Sequence, residues 1–178
     1  MDPVLVGTTQ RALEKIIDRR EIRFDSEEKT VKEIISAIKK NGDKALFQYA
    51  HKLDNVKISK KNLRISKDEI SRVADKCSPA LKKAICRAVA NIKRYHSRQS
   101  SGDFVFSPAR GIKLSQRTLP VPSVGLYIPG GIAPLFSTLL MTAVPAMVAK
   151  VPRIAVATPC KNGLDPAIAF SLMHLKLF

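Results

Sequence analysis

The run Val124-Gly125-Leu126-Tyr127-Ile128-Pro129-Gly130-Gly131-Ile132-Ala133-Pro134-Leu135-Phe136-Ser137-Thr138-Leu139-Leu140-Met141 constrains the fold of this chain more than any other feature. Val124 to Ile128 has the short apolar character of a buried strand. Pro129-Gly130-Gly131 breaks it. A helix is expected from Phe136 to about Lys150, kinked or locally broken at Pro145, whose ring cannot donate a backbone hydrogen bond. Ile154-Ala155-Val156-Ala157 reads as a second strand of the near-continuous apolar kind. Pro159 to Asp165 is a loop, and Pro166 to about Leu175 begins another helix. Strand, glycine-rich turn, helix, strand, helix is the start of a parallel α/β sheet. Two such strands and two helices cannot cover both faces of a sheet.

The turn has two readings. Glycines let the backbone approach a ligand and adopt positive φ. The amides of a following helix attract anions such as a pyrophosphate, and the end of a parallel strand is where α/β proteins bind nucleotides. Against this, the run holds no GxGxxG, no Walker A lysine, and no acidic residue about twenty positions on to hold a ribose. From spacing alone, a structural Gly-Gly turn and a nucleotide site both remain open. Tyr127 has two readings as well: a core tyrosine with its hydroxyl at the rim, or a contact to a ligand at the strand end.

The residues before this segment read as helical. Loose helical periods run over Val4–Arg20 and through Val31, Ile34, Ile35 and Ile38. Asn41-Gly42 ends the second of these helices. Asp43 is placed to cap the next, which points Ala45, Leu46, Tyr49 and Leu53 inward. Val56, Ile58, Leu63 and Ile65 alternate weakly, as a short strand would. Ser66-Lys67-Asp68-Glu69 is a capping box, and Ser78-Pro79 opens a longer helix to about Arg98. Composition shifts at Ser100-Ser101-Gly102, and Ile112 to Gln116 then alternates like a half-exposed strand. The expected organisation is a mainly helical region over 1–100, connecting strands over 101–122, and the first half of an incomplete, Rossmann-like parallel α/β domain over 123–178.

The net charge is +16, from 31 Lys+Arg against 15 Asp+Glu. That balance raises nucleic acid as a partner. Its distribution argues for a solvated surface instead, because basic and acidic residues are mixed along the helices. Aromatic residues make up 6% of the chain, too few for a base-stacking platform. Cys77, Cys86 and Cys160 are odd in number and lack CxxC spacing, so they read as free thiols. None of His51, His96 and His174 has a partner at ligand spacing, and no metal site is expected from them. No apolar run reaches the ~18 residues of a membrane span. The start Met1-Asp2-Pro3 has no secretory pattern, so the expected location is the cytoplasm.

From about Val31 to Ala169 the chain resembles histidinol dehydrogenase. The match is densest over Val121 to Gly131 and on through Ala133-Pro134-Leu135-Phe136-Ser137-Thr138. It continues in Asn41-Gly42-Asp43-Lys44-Ala45-Leu46, Tyr49, Lys52-Leu53-Asp54, Ala88 to Ile92, Tyr95-His96, Pro145-Ala146 and Val156-Ala157-Thr158-Pro159. The resemblance implies an oxidoreductase of histidine biosynthesis. Such enzymes take L-histidinol to L-histidine in two NAD-dependent steps, with a zinc ion orienting the substrate and a Glu-His pair moving protons. Tyr127 matches the family's NAD-contacting tyrosine, and Gly130 and Gly131 match its loop. The zinc ligands, the Glu-His pair and the other NAD contacts have no counterpart in this sequence. No catalytic or metal residue is therefore assigned, and zinc is not expected to bind this chain.

The resemblance thus implies a truncated enzyme, inactive alone, with a tail after Ala169 that reads like a frameshift or early stop. Complementation by a second polypeptide is a further expectation. Relatives are homodimers. Two rival readings stand beside this one: a basic module for nucleic acid or another acidic partner, and a non-functional remnant.

Overall fold

The computed structural model describes residues 25–99, 102–130, 135–161 and 163–178. The helix expected over Val4–Arg20 lies outside the described residues, as does Gly131. The chain divides into two compact units, residues 1–60 and 61–178.

In the first unit, α1 (Asp25–Asn41) and α2 (Asp43–Asp54) pack as a helical pair. Gly42, at φ 57°, makes the break between them and donates its N–H to the Ile38 carbonyl at 2.8 Å. A positive φ suits glycine, which explains the Asn41-Gly42 signal. Asp43 is not a cap. Gly42 holds the N-cap position with no side-chain hydrogen bond, and Asp43 lies in the first turn, where its charge suits the helix dipole. Ala45 and Ala50 are buried, but Leu53 is exposed, as are Val31 and Ile35 on α1. The strand expected across 54–65 does not form. Residues 60–64 are turns and bends, because the segment finds no partner strand among the described residues.

The second unit opens with α3 (Lys67–Ala74) and α4 (Pro79–His96). Their starts follow local chemistry. The Ser66 hydroxyl accepts from the Glu69 amide at 3.2 Å, and the Ser78 hydroxyl accepts from the Leu81 amide at 3.3 Å. Pro79 occupies the first turn of α4, where a missing N–H is harmless. β1 (Phe104–Ala109) and β2 (Ile112–Gln116) form an antiparallel ribbon. Every residue of both strands is exposed, so β2 is fully rather than half exposed.

β3 (Val124–Tyr127), α5 (Phe136–Val148), β4 (Ile154–Ala157) and α6 (Pro166–His174) follow. β3 and β4 pair in parallel, Val124 with Ile154 through to Tyr127 with Ala157. The fold is α/β, as expected. Pro145 lies inside α5. Asp165 caps α6 by accepting from the amides of Ala167 at 2.8 Å and Ile168 at 3.2 Å.

The core lies between helices. α3 packs on α6, α4 on α5 and α6, and α5 on β3. Ile85, Ile128, Leu139, Ala143 and Ala169 are fully buried there, and Leu126 and Val156 pack against them from the sheet. Helices on either side of residue 100 thus share one core, so the compact units divide near residue 60 rather than at the composition shift. Ser171, the one buried polar residue of the described core, donates its hydroxyl to the Ala167 carbonyl at 2.7 Å. Both strands alternate half-buried with exposed residues. They are not buried on two faces, because among the described residues helices cover one face only.

The burial difference sets a stability prediction. Ile85→Ala is expected to cost about 2–5 kcal/mol, the range for emptying a packed site. Ile112→Ala on the exposed ribbon is expected to stay within about 0.5 kcal/mol. Urea midpoints at unchanged slope measure both.

Candidate functional site

The parallel register brings the C-terminal ends of β3 and β4 side by side at Tyr127 and Ala157. The Ile128 N–H donates to the Ala157 carbonyl at 2.9 Å, which locks the two strand ends together. Ile128 is fully buried, while Tyr127 beside it is 65% exposed. Alternation along the strand produces this contrast: Ile128 anchors the strand in the core and Tyr127 stands on the open face. The ring is therefore available to a ligand at the rim.

Gly130 has a different role from the one its sequence suggests. It does not take a positive φ. A Cβ placed there would lie 3.0 Å from the Pro159 Cβ and 3.2 Å from its Cγ. The loops leaving β3 and β4 touch at this point, and glycine is required for close approach rather than for backbone freedom. The sequence marks Pro159 as the start of a loop and part of the matching stretch, and the structure adds its place against Gly130. Gly125, on β3 itself, meets only open space.

The helix entered from this turn begins at Phe136, with Leu135 as N-cap and no side-chain hydrogen bond to its amides. The Thr138 N–H is taken by the Leu135 carbonyl at 3.0 Å. The N-cap residue itself offers no side-chain acceptor to the first amides of α5.

Cys160 lies just beyond, half-buried against the core, with its thiol donating to the Thr158 carbonyl at 3.4 Å. Burial pushes this thiol up from its ordinary range, and the negative charge of Glu69 adds to the shift. All three cysteines are free.

The histidines are scattered. His51 is exposed on α2. His96 ends α4, with Nδ1 against the Gln99 Oε1 and its ring edge-on to Tyr95. His174 stacks on Phe170, and its Nδ1 lies 3.9 Å from the Cys86 Sγ. That pair is 88 residues apart in sequence, so no spacing rule could have found it. Among the described residues no three of His, Cys, Asp or Glu converge to hold a metal, so no step through zinc is derived. A shallow depression along α1, lined by Glu28, Lys29, Lys32, Glu33 and Ser36, belongs to the other compact unit. One face of one helix lines it. No helix among the described residues is long and apolar enough to cross a membrane.

Two parallel strands joined by a crossover helix define the class: an α/β protein. Comparison with known proteins narrows it. Residues 17–176 match the family model for histidinol dehydrogenase, and the chain belongs to that family. It is 40% identical over 146 residues to histidinol dehydrogenase of Campylobacter jejuni, covering 82% of this chain and 33% of that protein. The Thermotoga maritima enzyme is 38% identical over 156 residues, covering 86% and 36%. A solved histidinol dehydrogenase from Elizabethkingia anophelis superposes with a TM-score of 0.77 at 33% identity, over 83% of this chain and 34% of that one. The chain thus spans about a third of the length of these relatives.

Two outcomes follow from the local geometry. Gly130→Ala is expected to destabilise by about 1–3 kcal/mol through crowding on Pro159, lowering the melting midpoint by roughly 3 °C per kcal/mol. Gly125→Ala is expected to be neutral or to stabilise by up to about 1 kcal/mol; calorimetry on both distinguishes them. Separately, Cys160 is expected to react with iodoacetamide more slowly in the folded chain than in urea at the same pH. The thiolate is the reacting form and folding disfavours it. By the same linkage, Cys160's contribution to stability falls as pH rises from the unfolded thiol's range toward the folded one. Glu69→Gln is expected to speed the folded-state reaction, read by peptide mass mapping.

Proposed function

We propose that this chain supplies the first part of the NAD-binding layer of a histidinol dehydrogenase, carried by residues 123–178, and has no dehydrogenase activity by itself. The observation that carries the reading is the exposed ring of Tyr127 at the parallel strand ends, beside an uncapped helix start. NAD, when bound, accepts hydride from the alcohol and then from the hydrated aldehyde. The residues here serve to hold it. Tyr127 offers an aromatic face to a flat ring. Gly130 lets the loop leaving β3 lie close to Pro159, and Gly131 matches the family's loop by resemblance; the start of α5 that follows suits a pyrophosphate.

Histidinol as substrate, zinc as the orienting ion and a homodimeric assembly are properties of the family that this reading assigns to a protein containing the remaining two thirds. The alternative of a basic binding module rests on the +16 charge alone, and no aromatic groove accompanies it among the described residues.

Titration of the purified chain with NAD, followed by ligand-observed NMR, is expected to show weak saturable binding. Tyr127→Ala is expected to weaken it about tenfold, the loss of roughly 1.4 kcal/mol of ring contact. Incubation with L-histidinol and NAD is expected to give no NADH above blank. Absence of NAD binding, or equal binding by the alanine variant, would sink the assignment of Tyr127. Measurable turnover would sink the claim of inactivity.

A further inference from the structure

The β1–β2 ribbon has two chemically different faces. Its register pairs Phe104 with Gln116, Phe106 with Leu114, and Ala109 with Ile112. Directly paired residues share a face, and side chains alternate along each strand. Phe104, Phe106, Ile112 and Leu114 therefore stand together on one side. Val105, Lys113 and Ser115 stand on the other. Each of the four apolar residues on the first side is more than half exposed, and every described residue from 102 to 123 is exposed. An isolated two-stranded ribbon is marginal in water. A contiguous exposed apolar face, here ended by Gln116 opposite Phe104, marks a contact surface.

Two observations indicate what covers it. The family match spans residues 17–176 and so takes in the ribbon. About two thirds of the relatives' length has no counterpart in residues 1–178. Charge weighs against a second copy. The chain carries a net charge of +16, and at the ribbon's base the acidic Asp103 accepts from the Thr118 amide at 2.8 Å. Two chains of charge +16 would repel on such a contact.

We infer that the Phe104/Phe106/Ile112/Leu114 face is the seat of the remaining two thirds of the histidinol dehydrogenase fold. The inference rests on reading this chain as one part of that enzyme, but not on NAD binding.

The test is co-expression of this chain with a tagged polypeptide comprising the Campylobacter jejuni enzyme beyond its matched 146 residues. The unmodified chain is expected to co-purify in a one-to-one complex. The double variant Phe106→Ser/Leu114→Ser is expected to lose at least tenfold of that yield while keeping its own melting midpoint. Lys113→Ser, on the opposite face, is expected to co-purify undiminished. Equal capture of the double variant overturns the inference, and so does failure of the unmodified chain to co-purify. Dimerisation of the chain alone, or its binding to anionic phosphatidylserine vesicles, each abolished by the double variant, overturns it in favour of another occupant. Tyr127→Ala, carried alongside, separates the two readings. Loss of NAD binding with capture intact supports both, whereas a chain that is captured but never binds NAD removes only the cofactor assignment.

Discussion

Parallel pairing of β3 with β4 requires the chain to travel back along the full length of the sheet before the second strand begins. The return is made by α5, and the rest of the second unit is organised around it. α5 lays Leu139, Leu140, Ala143 and Val144 into the core, where α4 and α6 meet them. α3 then closes the far side of α6. A crossover that could not bury this face would leave the strands without a floor. The near-continuous apolar character of α5 and α6 is the composition of helices enclosed on several sides.

The same crossover creates the strand-end site. Because both strands run in one direction, their C-terminal ends emerge together, and so do the loops that follow. Ile128 and Tyr127 share the consequences: one is drawn completely under the helices, while its neighbour is turned out to the bare face.

Much of this was legible because it was local. Ser66 and Ser78 announced their helices through a hydroxyl three residues from a free amide, and Asn41-Gly42 announced a break through its tolerance of positive φ. What failed was non-local. Asp43 looked like a cap, but the turn geometry gave that position to Gly42. Val56 and Ile58 alternate, yet alternation makes a strand only where another strand is available to pair. Leu53, Val31 and Ile35 fit helical periods, although period fixes which residues share a stripe and not whether anything packs on it. The identity of the site depended on the family resemblance at Tyr127, Gly130 and Gly131. The physical reason for Gly130 depended on Pro159, which is remote in sequence and visible only after the strands are paired.

The contact between Gly130 and Pro159 has a mechanical consequence. A pyrrolidine ring has no alternative rotamer into which it can swing aside, and a glycine already offers the smallest obstacle available. Position 130 therefore has no room for growth: any side chain there would have to displace the Pro159 ring or the loop that carries it.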